Sequence, residues 1–385
     1  MPDNPVVRDV TAIREEERET RRTGLRARMK DHGIDVVLIS PGTNMRYFFD
    51  LGWGATERLV AAMITADSTI FICPKFEDTA LLAVIGDAYE TAYWQEDEDP
   101  HALAAQLASK HSAKMVGIDP YFSFGMASRF QTAMMGQETR TAEPLIAPLR
   151  FQKSPAELAL LTAAKQLTLS VHQQVFEWIK PGVRASEVKA KIDQLHRAGG
   201  ADNGNTFCAV QFGEATSHPH GVPGDQILAE SDIILIDTGC QIKGYHSDIT
   251  RTYALTPQPS EAEDIWHLEK EAQAAAFAAA QPGAPCEMVD HAARVVLEKA
   301  GLGPDYTLPG LPHRTGHGIG MDIHEGPYLV RGDKTALAPG MCFSNEPMIV
   351  VPGQYGIRLE DHFYMTEAGA NWFTEPQHSF YKPFG

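Results

Sequence analysis

Residues 313–330 read HRTGHGIGMDIHEGPYLV, a segment that sets His313, His317 and His324 within twelve residues and interleaves them with Gly316, Gly318 and Gly320. Imidazole titrates near neutrality and ligates divalent metals, so this spacing points to metal or proton chemistry. The glycines argue against an ordinary helix. Chance clustering among the 15 histidines of the 385-residue chain is the competing reading.

Carboxylates with repeated spacing strengthen the metal reading. KPGVRASEVKAKIDQLHRAG (180–199) aligns with QPGAPCEMVDHAARVVLEKAG (281–301), and LAESDIILID (228–237) aligns with LAPGMCFSNE (337–346). Each second segment ends on an acid, Asp237 and Glu346, then passes a turn and meets another, Asp248 and Glu360. Residues equidistant from a hairpin turn sit opposite one another. The midpoint of Asp237 and Asp248 falls at Ile242-Lys243 within QIKG, and that of Glu346 and Glu360 at Gly353 within VPGQ. Two facing carboxylate pairs follow. Like charges directly opposite repel, and Asp237 closes the apolar run IILID, where burial is expected. Four converging carboxylates call for cations, and divalent metal ions are a compact supply. A single acid in this position would more simply be a solvated strand-end charge. It is the recurrence that favours metal.

The elements that must position these groups fall into two domains. In the first half, IDVVLIS, AAMITA, STIFICP and KMVGID are β-branched runs separated by helical stretches such as EDTALLAVIG and HALAAQLASKH, after a polar helix over residues 9–33. This alternation predicts an α/β domain over residues 1–145. It has no phosphate-loop glycines and therefore no predicted nucleotide. Residues 146–385 form the second domain. There, Ser154, Pro155 and Glu157 spell a capping box, a third start signal pairs Ser260 with Glu263, and helices stop at Pro181-Gly182, Gly199-Gly200, Pro282-Gly283 and Gly301.

Composition bounds the rest. A formal charge of −17 disfavours nucleic acid and anionic membranes as partners. Five scattered cysteines without a CxxC pair fit a reducing compartment. With no secretory signal and no apolar stretch of membrane length, a cytoplasmic location is expected.

IDTG, HSDITRTY, TGHGIGMDIHE, FSNEP and GIRLED, in this order, resemble the creatinase, aminopeptidase P and prolidase group of metallopeptidases, nearest to bacterial Xaa-Pro dipeptidases. The resemblance covers essentially the whole chain, weakly before residue 145. It implies an α/β N-terminal domain followed by an α+β "pita-bread" domain with an internal pseudo-twofold repeat. It also implies five metal ligands, Asp237, Asp248, His317, Glu346 and Glu360. Asp237 and Asp248 would serve one ion, His317 and Glu346 the other, with Asp248 and Glu360 bridging. Oxygen-rich sites with one imidazole suit manganese or cobalt, with zinc and iron also compatible.

By the same resemblance, His220 relays protons and bonds substrate, His324 contacts the scissile carbonyl, and Glu346 accepts a proton. His313 lines the substrate pocket, and Arg358, grouped with it beside the substrate, holds the ligand carboxylates. His218, His246 and His362 match no assigned role and read as ordinary polar residues. Trp53 and Arg58, in TNMRYFFDLGWGATERLV, are candidates for limiting substrate length across a homodimer, with plain packing an equal alternative. Arg331 is a candidate for a substrate carboxylate.

The implied reaction is hydrolysis of the bond before proline in dipeptides or short peptides. Two ions would lower the pKa of a shared water. A site shaped for the pyrrolidine ring, and not reliant on an N–H the imide lacks, would set specificity. Two alternatives stand beside this reading: a metal-dependent hydrolase or lyase of a small non-peptide amide or related metabolite, and a non-catalytic binding protein.

Overall fold

The computed structural model describes residues 10–384. They form two compact units, one spanning Ile13–Arg150 and the other running from Phe151 onward.

The first unit is built on a mixed six-stranded sheet. Its elements are α1 (Glu15–His32), β1 (Val36–Ile39), α2 (Thr43–Phe49), β2 (Ala61–Ile64), β3 (Thr69–Pro74), α3 (Asp78–Ile85), β4 (Glu90–Trp94), α4 (Pro100–Lys110), β5 (Met115–Ile118), α5 (Phe124–Ala133), β6 (Glu138–Thr141) and α6 (Glu143–Phe151). Strand order is β4-β3-β2-β1-β5-β6. The four apolar runs expected as strands supply β1, β2, β3 and β5, all but one of whose residues are buried. Helix α1 starts at Glu15. Glu15, Glu16 and Glu17 occupy its first turn and Lys30 and His32 its last, each sign facing the favourable end of the dipole.

In the second unit two helices precede strands, twice. The first pass comprises α7 (Pro155–Trp178), α8 (Ala185–Ala198), β7 (Asn205–Phe212), β8 (Ile233–Ile242), β9 (Tyr245–His246) and β10 (Ile249–Ala254). The second comprises α9 (Ser260–Ala279), α10 (Glu287–Lys299), β11 (Gly316–Gly318), β12 (Glu325–Leu329), β13 (Cys342–Asn345), β14 (Met348–Val351), β15 (Tyr355–Arg358), β16 (Asp361–Thr366) and β17 (Gly369–Trp372). The expected capping box opens α7: Glu157 N–H donates to Ser154 Oγ at 3.2 Å, and Ser154 N–H to Glu157 Oε2 at 2.9 Å. Helix α9 differs, because Pro259 takes the N-cap position and Ser260 is already helical, so no side-chain cap forms.

The repeat extends to individual backbone hydrogen bonds. Gly182 N–H donates to Leu228 O (2.8 Å) and Leu228 N–H to Val183 O (2.9 Å); in the second pass Gly283 N–H donates to Leu337 O (2.8 Å) and Leu337 N–H to Ala284 O (2.9 Å). The Pro-Gly bend after each first helix is thereby tied to the segment that leads into the strand bringing Asp237 or Glu346 to the site.

The two hairpins meet the expected registers differently. In the second, Asn345 pairs with Asp361 and Met348 with Arg358, so Glu346 and Glu360 stand opposite each other, as the Gly353 midpoint requires. In the first, Asp237 pairs with Thr250 instead of Asp248. The reversal is made by Lys243 (φ 48°) and Gly244 (φ 86°) alone, with Ile242 paired to Tyr245. Two consecutive positive-φ residues form the tight turn whose twist matches paired strands, and it closes one residue later than the centre of QIKG. The register therefore slips by two residues. A slip of two preserves the face, so Asp237 and Asp248 remain diagonal neighbours on one side of the ribbon.

Strand β10 also joins the two passes. Arg251 Nη1 donates to Glu360 O at 2.9 Å, and Thr252 Oγ donates to Arg358 O at 2.7 Å. Among the described residues no helix is long and apolar enough to cross a membrane.

Candidate metal centre

All five residues expected as ligands lie on strands or immediately beside them. Asp237 projects from β8, Asp248 immediately precedes β10, and His317 is central in β11. Glu346 and Glu360 sit where the β13–β16 pairing gives way to β14–β15. The β11–β12 register shifts between His317 and Gly318, a bulge of the kind that re-aims a side chain. Gly316 lets this segment lie against β13, since a Cβ there would fall 2.1 Å from Ser344 O. That close approach explains why a histidine-bearing strand carries glycine next to its histidine.

The side chains converge. His317 Nε2 lies 3.1 Å from Glu346 Oε1 and 3.8 Å from Asp248 Oδ2. One ligand atom each from His317, Glu346 and Glu360 falls within 4.8 Å of the others, as it does for Asp248, Glu360 and His362, and for Asp248, His317 and His324. Asp237 is absent from these groups; its Oδ2 accepts from Arg358 Nη2 at 2.5 Å. Its carboxylate nevertheless repels those of Asp248 and Glu360. It keeps 16% of its side-chain exposure, against 7% for Asp248 and 1% for both Glu360 and His317.

Neighbouring groups fix the orientation of the cluster. Arg358 Nε donates to Thr250 Oγ1 (3.0 Å), which donates onward to Glu360 Oε2 (2.7 Å). Ser344 Oγ accepts from His317 N–H (2.9 Å) and donates to Glu346 Oε1 (3.0 Å). His317 Nδ1 donates to Gly318 O at 3.0 Å, which leaves Nε2 facing the carboxylates with either a proton or a lone pair. Among the described residues Nε2 finds no hydrogen-bond partner, and neither do Asp237 Oδ1, Asp248 Oδ1 or Glu360 Oε1, all of them buried. Buried polar atoms without partners are costly. Oxygen and imidazole atoms gathered at this spacing are the donor set a divalent cation takes up. The residues present fit such an ion.

Electrostatics agree. Burial, then repulsion from Glu360, Asp237 and Glu346, raises Asp248 well above the usual carboxylate range. Burial, then Glu346 and Asp237, does the same to Glu360. Burial also raises Asp237, against the pull of Arg358. Glu346 moves the other way: burial pushes it up, but its pairing with His317 and the charges of His313 and Arg358 outweigh that and hold it low. Four acids share one close arginine, a deficit of positive charge that two divalent ions would fill.

Of the remaining expected residues, His324 packs against His317 with ring centroids 4.0 Å apart and the planes tilted by 55°. Burial and the neighbouring His317 lower it to about 4. His313 is lowered chiefly by burial, and its Nδ1 donates to Arg314 O at 2.7 Å. His220 is exposed, near enough to add to the electrostatic cost of protonating both. Arg358 is engaged with Asp237, Thr250 and the carbonyl of Pro219. Arg58 pairs with Glu57 and Glu96, Trp53 is half-buried, and Arg331 pairs with Asp305. Three residues at the cluster have no role assigned from the sequence: Thr250 and Ser344, which it does not single out, and His362, which reads there as an ordinary polar residue. Each lies two residues from a carboxylate ligand candidate, on the same face of an extended chain. That offset was the available signal.

Known proteins resemble this chain in both units. A model of the creatinase/prolidase N-terminal domain matches residues 21–152, and one of metallopeptidase family M24 matches residues 159–367. A probable dipeptidase PepE of Mycobacterium tuberculosis is 33% identical over 88% of this chain and 90% of its own length. An Xaa-Pro dipeptidase of Pyrococcus furiosus is 30% identical over 91% of this chain and 96% of its own. The crystal structure of dipeptidase PepE from Mycobacterium ulcerans superimposes with a TM-score of 0.88 at 30% identity, covering 95% of this chain and 97% of the other. The creatinase-type domain followed by a pita-bread domain is thus the architecture of these relatives, and the chain belongs to metallopeptidase family M24.

Proposed function

We propose that this chain is a dinuclear-metal-dependent peptidase that hydrolyses the Xaa-Pro bond of dipeptides or short peptides. The observation that carries the proposal is the meeting of Asp237 and Asp248 from one repeat with His317, Glu346 and Glu360 from the other, several of their ligand atoms buried without partners. The name Xaa-Pro dipeptidase borne by the Pyrococcus furiosus relative supports the choice of bond.

Asp237, Asp248, His317, Glu346 and Glu360 would hold the ions, manganese or cobalt by donor type. When bound, the pair supplies Lewis-acid polarisation of the scissile carbonyl and a water of lowered pKa. The side chains do the rest. Glu346 stays ionised and sits at the rim of the cluster with 14% exposure, where it can take a proton from an attacking water. His324, held neutral at physiological pH, donates an N–H to the oxygen on which negative charge develops. His220, exposed beside His313 and His324, delivers a proton to the departing imide nitrogen. Arg358 and Thr250 keep Asp237 and Glu360 in place throughout.

Mass-spectrometric product analysis on Xaa-Pro, Xaa-Pro-Xaa and unrelated amides tests the proposal. Metal-loaded protein is expected to release free proline from an Xaa-Pro dipeptide and to stop when chelator is added. Turnover of a non-peptide amide alone would contradict it.

A further inference from the structure

His362 is fully buried in β16, yet among the described residues neither of its ring nitrogens has a hydrogen-bond partner. An imidazole sealed from water in this way is costly unless something not yet counted takes up its nitrogens. The strand around it is firmly held. Asp361 points to the opposite face, where it accepts from Arg251 Nη2 at 2.7 Å and Gln273 Nε2 at 3.2 Å, and Phe373 N–H donates to His362 O at 3.0 Å. Alternation then aims both Glu360 and His362 at the carboxylate cluster. His362 Nε2 lies 3.7 Å from Glu360 Oε1, too far for a hydrogen bond, and its ring is 6.4 Å from that of His317. Metal–ligand bonds of about 2.0–2.2 Å put two ligand atoms on one ion roughly 3–3.7 Å apart, which is this separation.

We propose that His362 is a sixth protein ligand of the metal centre, binding through Nε2 the ion assigned to Asp237 and Asp248, beside the bridging Glu360. The assignment rests on the reading of the carboxylate cluster as a metal site. It gives each half of the centre its own imidazole, His317 on one side and His362 on the other. It also shifts the donor set toward nitrogen, favouring cobalt or zinc over manganese relative to a single-histidine site. A lone pair directed at a cation satisfies Nε2, one of the two ring nitrogens that no described protein group reaches.

Pulsed EPR on Mn(II)-loaded protein carrying 15N-histidine counts the imidazoles bound to metal, and equilibrium dialysis with elemental analysis gives the affinity. His324→Gln serves as background, because His324 also stands near Asp248. On that background two coupled imidazoles are expected. Adding His362→Gln should remove one coupling and weaken the second ion roughly 10–100-fold. A single coupling before the substitution, or a loss of affinity with both couplings intact, would overturn the assignment. Should His362→Gln fail to fold, the count on His324→Gln alone decides between two imidazoles and one. Wild-type protein that takes up no ion would instead sink the metal centre itself, and this inference with it.

Discussion

Thr250, from the first repeat, and Glu360, from the second, bond to each other twice: Thr250 Oγ1 donates to Glu360 Oε2 at 2.7 Å, and Glu360 N–H donates to Thr250 O at 3.2 Å. The hydroxyl is the middle of a relay, since it also accepts from Arg358 Nε. Thr250→Val keeps the volume but frees both the carboxylate and the guanidinium. We expect metal affinity to fall about 10–100-fold with the fold retained, and Thr250→Ser to restore most of it. Calorimetric metal titration of the three proteins checks this. Equal constants for wild type and Thr250→Val would show the relay to be idle.

The raised Asp248 and Glu360 make a prediction about metal-free protein. Above the ordinary carboxylate range and below their raised values, the folded chain keeps protons that the unfolded chain has lost. Their contribution to stability is therefore full at low pH and drains away as pH rises. Buried His172 and His196, lowered to about 3 and about 4 by desolvation, act oppositely, stabilising above the ordinary histidine value and less as pH falls. Subtracting Asp248→Asn from wild type cancels the histidines. In chelator, the variant should gain thermal stability over wild type between about pH 5 and about pH 8. Adding metal at the upper pH should reverse the order. Parallel melting curves across that range would contradict the account.

How far the sequence revealed this site depends on the element. Glu346 opposite Glu360 was legible because a proline-glycine turn centres the ribbon on Gly353. The slip at Asp237 was not, because Lys243 adopts a positive φ that its residue type does not advertise. The shared face survived only because the error was even. His362 was missed for a different reason. Its neighbours in the cluster are Glu360, just before β16, and, across more than a hundred residues, Asp248, so its environment exists only after the two repeats dock. The capping box at Ser154 was readable since it is complete within four residues, whereas the Ser260 signal was displaced by one position because Pro259 already supplies the N-cap backbone.

Gly316 tests whether close strand approach places His317. Gly316→Ala would drive a methyl into Ser344 O and, through it, strain the Ser344 bonds to His317 and Glu346. Urea denaturation should show a loss of about 1–3 kcal/mol. Metal affinity should fall as well. Unchanged stability together with unchanged affinity would mean that β11 tolerates a side chain there and that the bulge alone orients the histidine.

Anomalous diffraction from cobalt-soaked crystals at the cobalt edge examines the central claim without reliance on turnover. Two peaks are expected within the cluster, one adjoining Asp237 and Asp248 and one adjoining His317 and Glu346, with Glu360 reaching the cluster from the second ribbon. Well-diffracting crystals with cobalt elsewhere and none among these side chains would contradict the account.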